Sequence, residues 1–169
     1  QGAFGMVVKV QEKQSHKLYA LKAMILKDTK AYNYCLIEIN ILQTVQDIRC
    51  PLLSGLIDSK IIETDKSKCM LLLDLYEGGD LCSFCKKNTY KIDTVKTIME
   101  QLIYGILLLH DKNIWHRDLK PENIMLCNNE TTDIALIDFG FSKKVTPDTD
   151  SRLRANTQLG SPGYASPEL

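Results

Sequence analysis

The first quarter of the chain carries strand signals. Met6-Val7-Val8-Lys9-Val10 and Leu18-Tyr19-Ala20-Leu21-Lys22 flank the polar stretch 11–17 and predict an antiparallel pair joined by a turn. A helix is expected over residues 31–46, where Glu38, Leu42 and Val45 recur at i, i+4 and i+7 and share a face. Residues 57–62 and 69–75 read as two more strands around the charged turn 64–68, and Tyr76-Glu77-Gly78-Gly79-Asp80 breaks the pattern as a linker. Beyond it Val95, Ile98, Met99, Leu102, Ile103, Ile106 and Leu109 hold a helical period for four turns, with Asp93 as the expected N-cap and a stripe wide enough to be largely buried. Two short apolar strands, 124–126 and 134–137, flank Cys127-Asn128-Asn129-Glu130. From 142 to 159 the chain is polar and aperiodic, and a loop that long in a compact unit is functional or disordered.

Composition narrows the class of function. Twenty-one Lys+Arg balance 21 Asp+Glu, so no global field favours nucleic acid or a membrane surface, and a charged ligand must be held by a local site. No apolar run approaches the ~20 residues that span a bilayer, and no signal peptide opens the chain. The six cysteines are scattered through apolar segments and read as reduced thiols, which points to an intracellular setting, cytoplasmic or nuclear. Cys82 and Cys85 form a lone C-x-x-C without a second pair or a histidine pair, so structural zinc or redox chemistry is disfavoured.

Candidate chemistry lies in a fixed order along the chain. It comprises the glycine turn Gly2-Ala3-Phe4-Gly5-Met6-Val7, Lys22 closing Tyr19-Ala20-Leu21-Lys22, and Glu38 in the next helix. His116-Arg117-Asp118-Leu119-Lys120-Pro121-Glu122-Asn123 and Asp138-Phe139-Gly140 follow. Alone, the glycine turn is a plain hairpin and Lys22 a solvated strand residue; the eight residues from His116 followed by Asp138-Phe139-Gly140 are far more specific. Together they strongly resemble the eukaryotic protein kinases, from one end of the chain to the other. The resemblance implies an α+β bilobal fold: an antiparallel sheet with one helix over residues 1–75, then the first part of a mainly helical lobe over 76–169. It also implies that the two parts together form one incomplete kinase domain that opens inside the glycine-rich loop. Such a stretch alone is expected to be poorly stable and inactive, with apolar surface exposed around Ile98 to Leu109.

The same resemblance assigns roles. Transfer of a γ-phosphoryl group is mostly positioning and charge neutralisation. Glycines at 2 and 5 would let backbone N–H groups approach phosphate oxygens. Lys22, held by Glu38, would pair with the α- and β-phosphates of ATP. Asp138 and Asn123 would ligate Mg²⁺, with Mn²⁺ as a substitute, since hard oxygen donors suit these cations. Asp118 would accept the proton of the substrate hydroxyl, and Lys120 would neutralise the γ-phosphate. Leu73 would be the gatekeeper, Asp74 and Tyr76 would offer backbone groups to adenine through main-chain contacts alone, and Val7, Ala20 and Met125 would sandwich the ring. Leu42, Leu56, His116 and Phe139 fit a stacked apolar spine.

Lys120 and Gly160-Ser161-Pro162-Gly163-Tyr164 resemble the serine/threonine pattern, with Ser161 as the docking-loop hydroxyl bonding Asp118 and Lys120. Protein substrates bearing Ser or Thr are therefore implied. Asp80 and Glu122 resemble acidic positions that select arginine near the target, Asp80 also standing among the nucleotide-binding residues that the resemblance implies, and the segment from Asp138 to Lys143 looks most like the calcium/calmodulin-dependent group. Arg117 before Asp118 implies activation by phosphorylation, through an upstream kinase. Counting back from Pro167-Glu168 places the phosphate on Thr157, with Thr146, Thr149 and Ser151 as alternatives. A pseudokinase that binds nucleotide without phosphotransfer, and a small-molecule kinase, are the competing readings.

Overall fold

The computed structural model describes residues 5–63, 67–87, 90–145, 161 and 163–164. Four strands, β1 (Met6–Gln11), β2 (Leu18–Ile25), β3 (Leu56–Ile62) and β4 (Lys68–Leu73), form an antiparallel sheet in the order β1-β2-β4-β3. Helix α1 (Thr29–Ile48) follows β2. Asp28 starts it by accepting the Ala31 N–H at 2.7 Å, and Arg49 ends it in the left-handed region at φ 53°.

The period-2 logic of the strands and the helical stripe of α1 meet face to face. Across β2 and β4 the register pairs Ala20 with Leu73, Lys22 with Leu71 and Met24 with Cys69, placing these residues on one face. The buried side of α1 supplies Cys35, Glu38, Ile41, Leu42 and Val45. One lysine and one glutamate therefore enter an otherwise apolar layer, which is where the site begins.

The strand expected to reach residue 75 stops at Leu73, because Asp74 onward turns away toward the second half of the chain. The linker is fastened there: the Gly78 N–H donates to the Leu126 carbonyl at 3.1 Å and the Leu126 N–H to the Gly79 carbonyl at 2.9 Å. A Cβ on Gly78 would lie 2.3 Å from the Asn128 carbonyl oxygen, so only glycine permits this approach.

Helix α2 (Leu81–Lys87), which no periodicity announced, is capped by Asp80, whose carboxylate accepts the Ser83 N–H and hydroxyl, both at 2.7 Å. Helix α3 spans Ile92–Asp111, and two expectations for it are corrected. Lys91, not Asp93, is the N-cap; Asp93 sits inside the first turn, where its charge favours the positive end of the helix dipole. Its apolar stripe is only partly covered: Ile98 and Leu109 are buried, but Val95, Met99 and Ile103 are exposed.

Past α3 come β5 (Ile114–Trp115), a 3-10 turn (Pro121–Asn123), β6 (Ile124–Leu126), β7 (Ile134–Leu136) and β8 (Lys143–Lys144). They form two small antiparallel pairs, β5 with β8 and β6 with β7. The Gln101 side chain of α3 donates to the Thr132 carbonyl at 3.0 Å and accepts the Ile134 N–H at 3.2 Å, which sets β7 against α3. One apolar cluster runs through both halves, with Leu42, Leu53, Leu56 and Leu71 on one side and Ile98, Ile114, Leu136 and Phe139 on the other. The connection between α1 and β3 joins them, since Ser54 N–H donates to the Leu136 carbonyl at 2.9 Å and Leu136 N–H to the Leu52 carbonyl at 2.8 Å.

Candidate active site

Lys22 and Glu38 meet in the layer between β2 and α1, with Lys22 Nζ 2.6 Å from Glu38 Oε1. Lys22 Nζ also reaches Asp138 Oδ1 at 2.9 Å, across 116 positions of sequence. Burial pulls the Lys22 ammonium pKa down, but Glu38 and Asp138 outweigh it and hold the pKa above its ordinary value, so Lys22 is a fixed cation. Asp138 has φ 62° and Arg117 φ 65°, conformations that cost about 1–3 kcal/mol for such residues and cluster where geometry serves function. Arg117 Nε donates to the Phe141 carbonyl at 2.8 Å, and Ser142 Oγ to the His116 carbonyl at 3.2 Å, which locks the turn around Phe139.

The segment from His116 to Asn123 builds a second cluster around Asp118. Asp118 Oδ2 accepts from Lys120 Nζ at 2.8 Å and Asn123 Nδ2 at 2.9 Å. Oδ1 accepts from the Ser161 N–H and hydroxyl, both at 3.0 Å, and Lys120 Nζ donates to Ser161 Oγ at 2.7 Å. Burial alone would raise the Asp118 pKa, but hydrogen bonds from Lys120, Ser161 and Asn123 prevail and hold it below the usual carboxylate range. Asp118 is thus a persistent anion already paired with the lysine and hydroxyl that the sequence associated with it.

Asn123 spends its amide nitrogen on the Asp118 carboxylate and main-chain carbonyl, so its amide oxygen is the atom left for another ligand. With the Asp138 carboxylate, which is one-third exposed, it offers two hard oxygen donors suited to Mg²⁺. Among the described residues no group of three or more His, Cys, Asp or Glu stands ready for a metal. A two-donor set fits a cation that keeps water and phosphate in most of its shell.

A cavity of about 240 Å³ opens beside Lys22, and its walls include Gly5, Val7, Ala20, Leu73, Asp74, Tyr76, Met125 and Asp138. Every residue expected to sandwich adenine is brought to it. Leu42, Ser54, Leu75, Ile137 and Phe139 line it too, of which Ser54 had no signal in its local sequence. Asp80 is not on this wall; its carboxylate is engaged by Ser83. Glu122 is exposed on the 3-10 turn. Phe139 packs against His116 with ring centroids 5.3 Å apart, and Leu42 and Leu56 share its core cluster. Gly2, Thr157, the alternatives Thr146, Thr149 and Ser151, and the segment 165–169 lie outside the described residues.

His116 is buried and neutral, with Nε2 hydrogen-bonded to the Ile137 carbonyl at 3.0 Å and Nδ1 accepting the Asp118 N–H at 3.3 Å. Burial drives its pKa below the ordinary value of about 6.5. The unfolded chain therefore takes up a proton that the folded chain refuses, and stability falls as pH drops below about 6.5, at up to ~1.4 kcal/mol per pH unit. Denaturant midpoints measured between pH 7.5 and 5 should show this slope in the wild type and a flatter one in His116→Phe, whatever the variant's absolute stability. Equal slopes would assign the acid sensitivity elsewhere.

Comparison with known proteins agrees with this geometry. Residues 1–169 match the protein kinase domain family. The serine/threonine-protein kinase SCH9 of Saccharomyces cerevisiae is 36% identical over 173 residues, covering 100% of this chain and 20% of that protein. The serine/threonine-protein kinase unc-51 of Caenorhabditis elegans is 34% identical, covering 89% of this chain and 18% of that protein. Myosin light chain kinase A of Dictyostelium discoideum is 31% identical, covering 100% of this chain and 55% of that protein. The chain thus spans about a fifth of the first two relatives. With the antiparallel sheet, the Lys22–Glu38–Asp138 contact and a match along every residue, the chain belongs to the protein kinase domain family.

Proposed function

We propose that this chain is the nucleotide-binding and catalytic part of a kinase that transfers the γ-phosphate of ATP to serine or threonine hydroxyls of protein substrates. One observation carries the reading: Lys22 and Asp138 meet as a fixed cation and a carboxylate on the wall of a largely apolar cavity, and in the same chain Asp118 is an anion paired with a lysine and a hydroxyl, Lys120 and Ser161. Mg²⁺ held by Asp138 and Asn123 would neutralise phosphate charge. Lys22 binds the α- and β-phosphates. The substrate hydroxyl takes the place on Asp118 Oδ1 that Ser161 now fills, its oxygen bonds the γ-phosphorus, and its proton passes to Asp118. The bond from the γ-phosphorus to the bridging oxygen breaks and ADP leaves, while Lys120 balances the charge on the moving phosphoryl group.

Arginine near the target serine is the proposed preference, because Glu122 is an exposed acidic group and Asp80 a half-buried one. An intracellular setting, a likeness to the calcium/calmodulin-dependent group, and activation by an upstream kinase at Thr157 complete the proposal. A phosphate there would add about −1.5 to −2 charges able to pair with arginine. The test is phosphate transfer from radiolabelled ATP to arginine-flanked, proline-directed and acidic serine peptides. The arginine-flanked peptide should be preferred, and mass spectrometry of the active full-length protein should find phosphate on Thr157. Nucleotide binding with no transfer to any peptide or protein would favour the pseudokinase instead.

A further inference from the structure

The sequence attaches no weight to the Asp74 side chain, since the resemblance gives that position a main-chain contact. The structure does. Where β4 ends, Leu73 is paired with Leu56, and the next facing residues are Asp74 and Gly55. The Asp74 N–H donates to the Gly55 carbonyl at 3.3 Å. In a hydrogen-bonded antiparallel pair the second N–H returns to the facing carbonyl. Here it does not: the Gly55 N–H donates to Asp74 Oδ2 at 3.1 Å. Among the described residues no backbone N–H is bonded to the Asp74 carbonyl.

The carboxylate has taken the bond that the carbonyl would otherwise accept. Its seat is built for it, because a Cβ on residue 55 would lie 2.6 Å from Asp74 Oδ2. Gly55 is itself held in place, since its neighbour Ser54 is bonded through its N–H to the Leu136 carbonyl at 2.9 Å. Asp74 lines the 240 Å³ cavity assigned to adenine.

Resting on that assignment, we propose that the Asp74 carboxylate is a specificity-determining positioning residue: by capturing the Gly55 N–H it keeps the Asp74 carbonyl free for the exocyclic amino group of adenine. Guanine carries a carbonyl oxygen where adenine carries that amino group, so an unpaired acceptor on the wall attracts one base and repels the other. Without the carboxylate, the Gly55 N–H closes onto the Asp74 carbonyl and the acceptor is lost.

The experiment measures KM for ATP and for GTP, kcat, and melting temperature in the full-length protein. Asp74→Ala should raise the ATP KM about tenfold, lower the GTP KM because the repelling acceptor is gone, leave kcat within about twofold, and so erode discrimination between the bases. Asp74→Asn, whose amide oxygen still accepts the Gly55 N–H, should stay within about threefold of the wild type. If Asp74→Ala is too unstable to assay, Gly55→Ala displaces the carboxylate from the other side and should give the same ATP-selective loss. An unchanged ATP KM, or ATP and GTP KM rising together, overturns the inference while leaving the kinase reading intact. A wild type that binds neither nucleotide overturns both.

Discussion

Replacing Asp138 with asparagine is expected to lower phosphoryl transfer about a thousandfold with the fold retained. The substitution is isosteric, but it removes the charge that meets Lys22 at 2.9 Å and the anionic donor on which the proposed Mg²⁺ position depends. Lys22 keeps Glu38 at 2.6 Å, so no buried ammonium is stranded and the structure has little reason to change. Lys22→Met should be equally inactive for a different reason, because it removes the cation that receives the phosphates. It also leaves Glu38 buried without its partner, at a cost of roughly 3–5 kcal/mol for a broken buried pair. The two variants therefore separate by stability while agreeing in activity. Single-turnover transfer with parallel circular dichroism and denaturant titration reads both quantities. Activity surviving in both variants would remove Lys22 and Asp138 from the chemistry.

The largest stability effect is expected at Phe139. Its side chain is fully buried, stacks at a tilt on His116 and belongs to the cluster that unites the two halves of the chain. Phe139→Ala should cost about 3–5 kcal/mol through lost transfer energy and an incompletely collapsed cavity. Because Asp138 precedes it at φ 62°, the loosened turn should also weaken the Asp138–Lys22 contact. Phe139→Leu, which keeps most of the volume, should recover most of the loss in urea titrations. A cost below about 1 kcal/mol for Phe139→Ala would show that the cluster does not bind the halves together.

Much of this was legible in the sequence wherever the pattern ran long. The strands expected over 6–10 and 18–22 and the helix expected over 31–46 fall within β1, β2 and α1, and Val7, Ala20, Lys22, Met125 and Asp138 line one cavity. Two-residue strands such as Ile114–Trp115 and Lys143–Lys144 are too short to show a period, so β5 and β8 were invisible. Helix α2 has no apolar period to announce it, and its start signal, Asp80, is a residue type that serves a ligand as readily as a cap. Asp93 was misplaced because an acidic residue suits both the cap and the first turn, and only backbone geometry decides between them. Half-exposed Met99 and Ile103 show that a periodic apolar stripe records what a helix can cover, not what stands against it. The Asp74–Gly55 contact depended on where a strand frays, which no local pattern encodes.

The Gln101 amide and the Leu52 carbonyl take on a second meaning when β7 is viewed from outside. The N–H groups of Ile134 and Leu136 face away from β6, and they end on Gln101 Oε1 and on Leu52. A strand edge with free N–H groups is a template for another chain. Along β7 that template is already occupied by a side chain at one end and a loop at the other. The hairpin leading to Asp138 is therefore closed to strand addition, and crowding or partial unfolding elsewhere should not recruit it into intermolecular sheet.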